Sequence, residues 1–273
     1  MLHLPIPVAE QLASDPRFAL LTFTGSPTVG WHLKSVAGKK KVCLELGGNA
    51  AAVVHEDAAD LDWIASRLAV GAFAYAGQVC IKVQRILVHQ PIYDRFVEKF
   101  VAASAALVSG DPLDPKTVVG PMIDKAAADR VQSWTEEAVA AGARVLLAPR
   151  RTGNVLTPGL LANVPHDAKV SCKEVFGPVS IVAPYPDWGD AMSQVNDSDF
   201  GLQAGIFTRD VNRIFQAFQQ LEVGGVIAND FPTLRVDNYP YGGVKDSGFG
   251  REGVKYAMEE MSEPRMLALN LAK

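Results

Sequence analysis

Two side chains able to make and break a bond to a carbonyl carbon stand next to glycines in this chain, the thiol of Cys80 and the carboxylate of Glu45. Cys80 follows Gly77-Gln78-Val79, which places it at or near the start of a helical or turn segment. Unpaired N–H groups at such a start favour a thiolate and can hold an oxyanion. A single cysteine is more often a buried structural residue, and Cys43 and Cys172 take that reading. Glu45 ends the apolar run Val42-Cys43-Leu44-Glu45-Leu46 just before Gly47-Gly48, where a carboxylate is unwelcome. Partial burial there would raise its pKa toward the range of a general base; the alternative is a strand-end glutamate turned to solvent. Gly25-Ser26-Pro27-Thr28-Val29-Gly30 lies on a strand-to-helix turn whose N–H groups could meet a pyrophosphate. It is not GxGxxG, and such turns are more often plain connections.

The elements that must position these groups alternate in a βαβ manner, so the fold class is α/β with a mainly parallel sheet. The patterning predicts strands at Ala19–Phe23, Val42–Leu46, Ala51–Val54 and Ile86–His89, and helices over Pro27–Lys40 and about Asp60–Tyr75. Helical spacing continues over Pro91–Ser109 and Asp124–Ala140. Further strands are expected at Val145–Ala148, Val179–Ala183, Ala204–Phe207 and Gly225–Ala228, with helices near Asp190 and Asp210. Tyr239–Gly253 is too rich in glycine for an element interior and suits a loop making close backbone approaches. The stretch Asn229–Gly253 is therefore the first loop suspected of building a site.

Composition narrows the function classes. The 273 residues carry 26 basic and 30 acidic side chains for a net charge of -4, so no basic field exists to hold a nucleic acid. Hydrophobic residues at 48% and charged ones at 21% describe a folded globular chain rather than a disordered one. Three distant cysteines offer neither a disulfide framework nor a CxxC metal site, and the histidines form no HExxH pair. No metal, a reducing cytoplasmic location and no membrane span are expected, the longest apolar run, Leu68–Gly77, being about half of what a span needs.

Five motifs in order, Phe23-Thr24-Gly25-Ser26, Leu44-Glu45-Leu46-Gly47-Gly48, Gly77-Gln78-Val79-Cys80, Glu174-Val175-Phe176-Gly177-Pro178 and Tyr241-Gly242-Gly243 with Lys245, Ser247, Gly248, Gly250, Arg251 and Glu252, resemble the aldehyde dehydrogenase superfamily over nearly the whole chain. The resemblance implies NAD or NADP as cofactor and a small aldehyde as substrate. It implies Cys80 as the nucleophile forming a thiohemiacetal and then a thioester, and Glu45 as the activator of thiol or water. Gly25 and Ser26 would meet the pyrophosphate, Glu174 the nicotinamide ribose, Phe176 and Leu46 the nicotinamide end, and Asn229 the substrate tunnel. Release of the thioester to CoA is the alternative, which the presence of Glu45 disfavours.

Family members run longer on the N-terminal side. The resemblance therefore implies residues 1–47 as the remnant of an NAD(P)-binding Rossmann-like domain, 48–250 as the catalytic domain, and 251–273 as a C-terminal helix with an oligomerisation-type strand, compatible with a homodimer. Impaired cofactor binding, or a fragment with at most thiol esterase activity, is the corresponding expectation. Lys82 stands where a small residue is expected and is read as solvated. Arg235, in the loop Asn229–Pro240, could meet an anionic substrate tail; the general look is that of members acting on small hydroxy-aldehydes or semialdehydes.

Overall fold

The structure is a computed structural model and describes residues 4–271; the outermost ends of the first and last predicted segments lie outside the described residues. A seven-stranded sheet runs in the order Gly225–Ala228, Gln203–Phe207, Ala51–Val54, Arg85–His89, Val179–Tyr185, Gly159–Ala162, Arg144–Leu147. Every neighbouring pair is parallel except the last. The interior strand Ala51–Val54 is buried throughout, as a strand covered on both faces must be, which is why it reads as a continuous apolar run. Among the described residues no helix is long and apolar enough to cross a membrane.

A separate three-stranded sheet holds Leu20–Thr24, Lys41–Glu45 and Gly248–Phe249. Its first two strands are parallel, joined through the helix Pro27–Val36, the βαβ unit that the sequence predicts. That helix stops short of Lys40 because the chain turns at Ala37, whose carbonyl accepts from Lys40 N, to enter the strand. The strand Gly248–Phe249 pairs antiparallel with Lys41–Glu45, Gly248 opposite Glu45. The glycine-rich C-terminal loop is thus stitched onto the small sheet beside the carboxylate. The helix Val254–Glu260 follows, while residues 262–271 carry no regular element.

Two helices fix the approach to Cys80. Asp60 caps the helix Leu61–Phe73, its carboxylate accepting from Asp62 N and Trp63 N, and Leu61, Ile64, Ala65, Leu68, Ala72 and Phe73 are buried along it. It packs on the helix Tyr93–Ala105 through Phe100, whose ring stacks on Phe73 with centroids 6.3 Å apart. Burying each such ring contributes roughly 1.5–3 kcal/mol. The helix ends at Phe73, and a 3-10 turn and irregular backbone lead from there to the strand at Arg85.

Candidate active site

The strand Lys41–Glu45 delivers Glu45 at its carboxyl end, and the chain then runs through Leu46–Ala50 into the amino end of Ala51–Val54. Cys80 lies five residues before Arg85, the first residue of the neighbouring strand. The site therefore sits where the carboxyl edge of the small sheet meets the amino edge of the large one. Only Glu45 obeys the carboxyl-edge rule for open α/β sheets.

Of the two expectations for Cys80, a helical or a turn segment, the structure shows the turn. A 3-10 turn, Ala74–Gly77, follows Phe73, with Tyr75 at φ 54 and Ala76 at φ 55, and Cys80 falls in the turn beyond it and opens no helix of its own. The left-handed backbone of Tyr75 and Ala76 is a sparsely populated conformation for residues with a Cβ, and its cost is met by Tyr75 N donating to Val118 O and Gln78 N donating to Tyr75 O. Burial pushes the Cys80 thiol pKa up, and Glu174 and Glu45 push the same way; the Tyr241 hydroxyl, 3.4 Å from Sγ, pulls it down.

Glu45 is 5% exposed, and neither carboxyl oxygen has a hydrogen-bond partner. Burial raises its pKa to about 8, with Glu252 adding to the rise and Arg235 and Arg251 opposing it. A buried acid with both oxygens unsatisfied costs stability, and such groups cluster where chemistry is done. Gly242, at φ 152, passes so close that a side chain there would press on Glu45 Oε1. Arg251 Nη1 donates to the carbonyls of Gly243 and Gly250, holding that glycine loop closed.

Cys80 and Glu45 line one cavity of about 640 Å³ together with Gly25, Ser26, Leu46, Glu174 and Phe176. Ser26 caps the helix Pro27–Val36, its Oγ accepting from Val29 N, so the positive end of that helix dipole opens on the cavity. Glu174 Oε1 accepts from Gly48 N at 2.9 Å, and burial raises its pKa against that bond and the charges of Arg130 and Lys82. Phe176, at φ 42 and 38% exposed, stands at the mouth. Leu46 is 2% exposed and packs against Gly30 of the helix, joining the cavity wall to the interior of the small sheet.

Asn229 is not brought there. At φ 55 it is exposed, its Oδ1 accepts from Thr208 N at 3.1 Å, and it is not among the residues lining the cavity; it shapes the end of its strand instead. Lys82 also departs from expectation. Rather than being solvated it is 4% exposed, and its ammonium donates to Gly177 O at 2.9 Å, Val179 O at 2.5 Å and Ser180 Oγ at 3.5 Å. Burial lowers its pKa to about 7, against the pull of Glu174. Lys82 thus straps the Cys80 turn to the segment carrying Glu174 and Phe176. A lysine inside the otherwise apolar run Ile81-Lys82-Val83 is the signal that marks it. Arg130, which also lines the cavity and donates to Val175 O at 2.9 Å, carried no local sequence signal.

One further cluster, His55, Glu56 and His89, gathers groups able to hold a metal at the opposite, carboxyl edge of the large sheet. The two imidazoles are stacked, with centroids 4.6 Å apart and planes 16° from parallel, and His89 stacks on Tyr185 as well. Lone pairs lie in the ring planes, so binding one ion would require the rings to leave this stack.

The model of the aldehyde dehydrogenase family matches residues 6–267. A 3-sulfolactaldehyde dehydrogenase of Priestia aryabhattai is 49% identical over 264 residues, covering 97% of this chain and 55% of the relative. Among solved structures, aldehyde dehydrogenase 21 from Physcomitrella patens in complex with the reaction product succinate superposes with a TM-score of 0.91 at 47% identity, over 94% of this chain and 53% of that one. The NADP-dependent glyceraldehyde-3-phosphate dehydrogenase of Bacillus halodurans C-125, complexed with NADP, gives a TM-score of 0.92 at 37% identity, over 97% and 55%. The chain belongs to the aldehyde dehydrogenase family and has its α/β fold. It spans about half the length of the curated relatives it matches.

Proposed function

We propose that this chain carries the catalytic centre of an NAD(P)-linked aldehyde dehydrogenase. The observation that carries the reading is that a thiol and a buried, unpartnered carboxyl open on the same cavity. Cys80 Sγ adds to the aldehyde carbon as thiolate, forming a C–S bond while the carbonyl oxygen becomes the oxyanion of a thiohemiacetal. Glu45, with its raised pKa, is suited to take a proton near neutral pH, from the thiol before addition and from water when the thioester is hydrolysed. Hydrolysis breaks the C–S bond, releases the carboxylic acid and returns the thiol.

The residues present fit a nicotinamide dinucleotide: Gly25, Ser26 and the helix N-terminus suit phosphate, the Glu174 carboxylate suits ribose hydroxyls, and Phe176 and Leu46 offer apolar surface. When bound, that cofactor supplies the hydride acceptor that turns thiohemiacetal into thioester. Glu174 ahead of Phe176 holds to Gly48, and Lys82 holds the segment just after Phe176 to the Cys80 turn, so cofactor-side and thiol-side surfaces keep a fixed spacing.

The substrate class we propose is a small aldehyde with an anionic tail. The relatives compared above act on or are complexed with small anionic compounds by name: a 3-sulfolactaldehyde dehydrogenase, an aldehyde dehydrogenase in complex with succinate and a glyceraldehyde-3-phosphate dehydrogenase. In this chain, Arg235 lies over the Tyr241 ring at 4.3 Å, one side chain away from the thiol, and is 44% exposed. Aldehyde-dependent reduction of NAD or NADP is the test. Cys80→Ala should abolish it, and Glu45→Gln should accumulate an acyl-enzyme visible by intact mass. Arg235→Met should raise KM for an anionic aldehyde and leave a neutral one of equal length unchanged. Full turnover by Cys80→Ala would overturn the reading.

A further inference from the structure

Cys80 opens no helix of its own, and its sulfur has a polar side chain in contact: Tyr241 Oη at 3.4 Å. Tyr241 is 7% exposed and packs with Ile81 and Leu202 around the thiol. Its backbone is clamped to Glu252, Tyr241 N donating to Glu252 O at 3.0 Å and Glu252 N to Tyr241 O at 2.7 Å. Its ring is covered by the Arg235 guanidinium, which Glu252 holds through a 2.6 Å bond from Nη2 to Oε2. The phenol is therefore fixed in position and not free to turn away from the sulfur.

A phenol and a thiol can each donate, so the direction of the bond depends on which proton leaves first. Burial holds the Tyr241 phenol well above its usual range, and the nearby Cys80 and Glu45 add to that. The charged groups facing the pair are Glu45 and Glu174 on the thiol side and Arg235 over the ring. Both carboxylates oppose a thiolate; of the side chains acting on Cys80, Tyr241 is the one that favours it. Once Cys80 ionises, sulfur can only accept, and the O–H must donate.

We propose that Tyr241 is a further catalytic residue of this centre, its phenol donating a hydrogen bond to Cys80 Sγ and so holding the nucleophile in its reactive form. The proton stays on the phenol throughout. The proposal rests on Cys80 being the nucleophile but needs neither cofactor nor aldehyde to be tested.

The experiment is alkylation of the protein with iodoacetamide, the thiolate displacing iodide, with the Cys80 peptide followed by mass spectrometry from neutral to alkaline pH. Tyr241→Phe keeps the ring, its packing and the Arg235 contact. A hydrogen bond to an ionised group is worth enough that its loss should slow Cys80 alkylation about tenfold or more at neutral pH. The titration midpoint should move upward and the plateau at high pH should be kept. Replacing Tyr241 by 3-fluorotyrosine, a stronger donor, should move the midpoint downward, an effect no packing role produces, and it carries the test if the Phe variant loses its circular dichroism. A midpoint unchanged in both variants overturns the proposal. A moved midpoint in a protein that oxidises no aldehyde sustains it while removing the functional reading.

Discussion

The carbonyl oxygen of Cys80 occupies the space that a side chain at position 48 would need: a Cβ built on Gly48 overlaps that oxygen. The same residue donates its N–H to Glu174 Oε1. Gly48 is therefore the point where the nucleophile turn, the Glu45 strand exit and the Glu174 loop touch. Because the obstacle is backbone rather than a flexible side chain, Gly48→Ala cannot be absorbed by a rotamer change. It should cost about 1–3 kcal/mol by overpacking and displace the turn. Chemical denaturation should show the first effect, and Cys80 alkylation at least tenfold slower than in the parent should show the second.

That contact was not legible in the sequence, and the reason is physical. The strands Ala51–Val54 and Gly225–Ala228 are legible at their observed bounds because short apolar runs that break off at His55 and Asn229 leave few alternatives. The start of the helix near Asp60 was legible for the same kind of local reason, an N-cap residue type ahead of an apolar run. Cys80 and Glu45 stood out through residue type and glycine neighbours. What local pattern could not give was the left-handed turn at Tyr75 and Ala76, which is imposed by contacts to Val118. Nor could it give the burial of Lys82, since an isolated lysine defaults to solvent until a tertiary neighbour supplies carbonyls.

Two of the three thiols, Cys43 and Cys80, should separate by access and ionisation. Cys43 is 7% exposed and burial pushes its pKa up to about 11, with Glu45 next among the causes. It should remain unmodified by a thiol reagent at neutral pH until the protein unfolds. Cys80 opens on the cavity and should be labelled in the native state, and an aldehyde in the cavity should protect it. Peptide mapping after timed alkylation checks both, and native labelling of Cys43 ahead of Cys80 would contradict them.

Glu45 ties stability to pH in a direction opposite to most carboxylates. Its pKa is about 8 in the folded chain against an ordinary value of 4.5, so between those values the native state holds a proton that the unfolded state has lost. Stability from this group is fully present below about pH 4.5 and is lost as pH rises through about 8. Glu45→Gln removes the titration. The variant should match the parent near the acid end and exceed it above about pH 8, by no more than about 5 kcal/mol. Denaturant midpoints across that range test the sign, and a parent that gains stability relative to Glu45→Gln as pH rises would refute it.

Lys82 gives the converse dependence, which allows the two to be told apart. Burial lowers its pKa from 10.5 to about 7, so between those values the unfolded chain binds a proton the native chain does not. The destabilisation it brings is complete below about pH 7 and gone above about 10.5. Lys82→Met removes that titration but also strips donors from Gly177 O, Val179 O and Ser180 Oγ, a loss independent of pH. The difference in stability between variant and parent should therefore shift in favour of the variant as pH falls from alkaline to neutral, whatever its absolute sign. Function should respond separately. Without the strap, the segment bearing Glu174 and Phe176 is released from the Cys80 turn, so KM for the dinucleotide should rise several-fold while Cys80 alkylation changes little. A variant whose stability difference is flat across that range would show that Lys82 keeps its charge in the fold, and the strap would then be a buried ammonium shared among three oxygens.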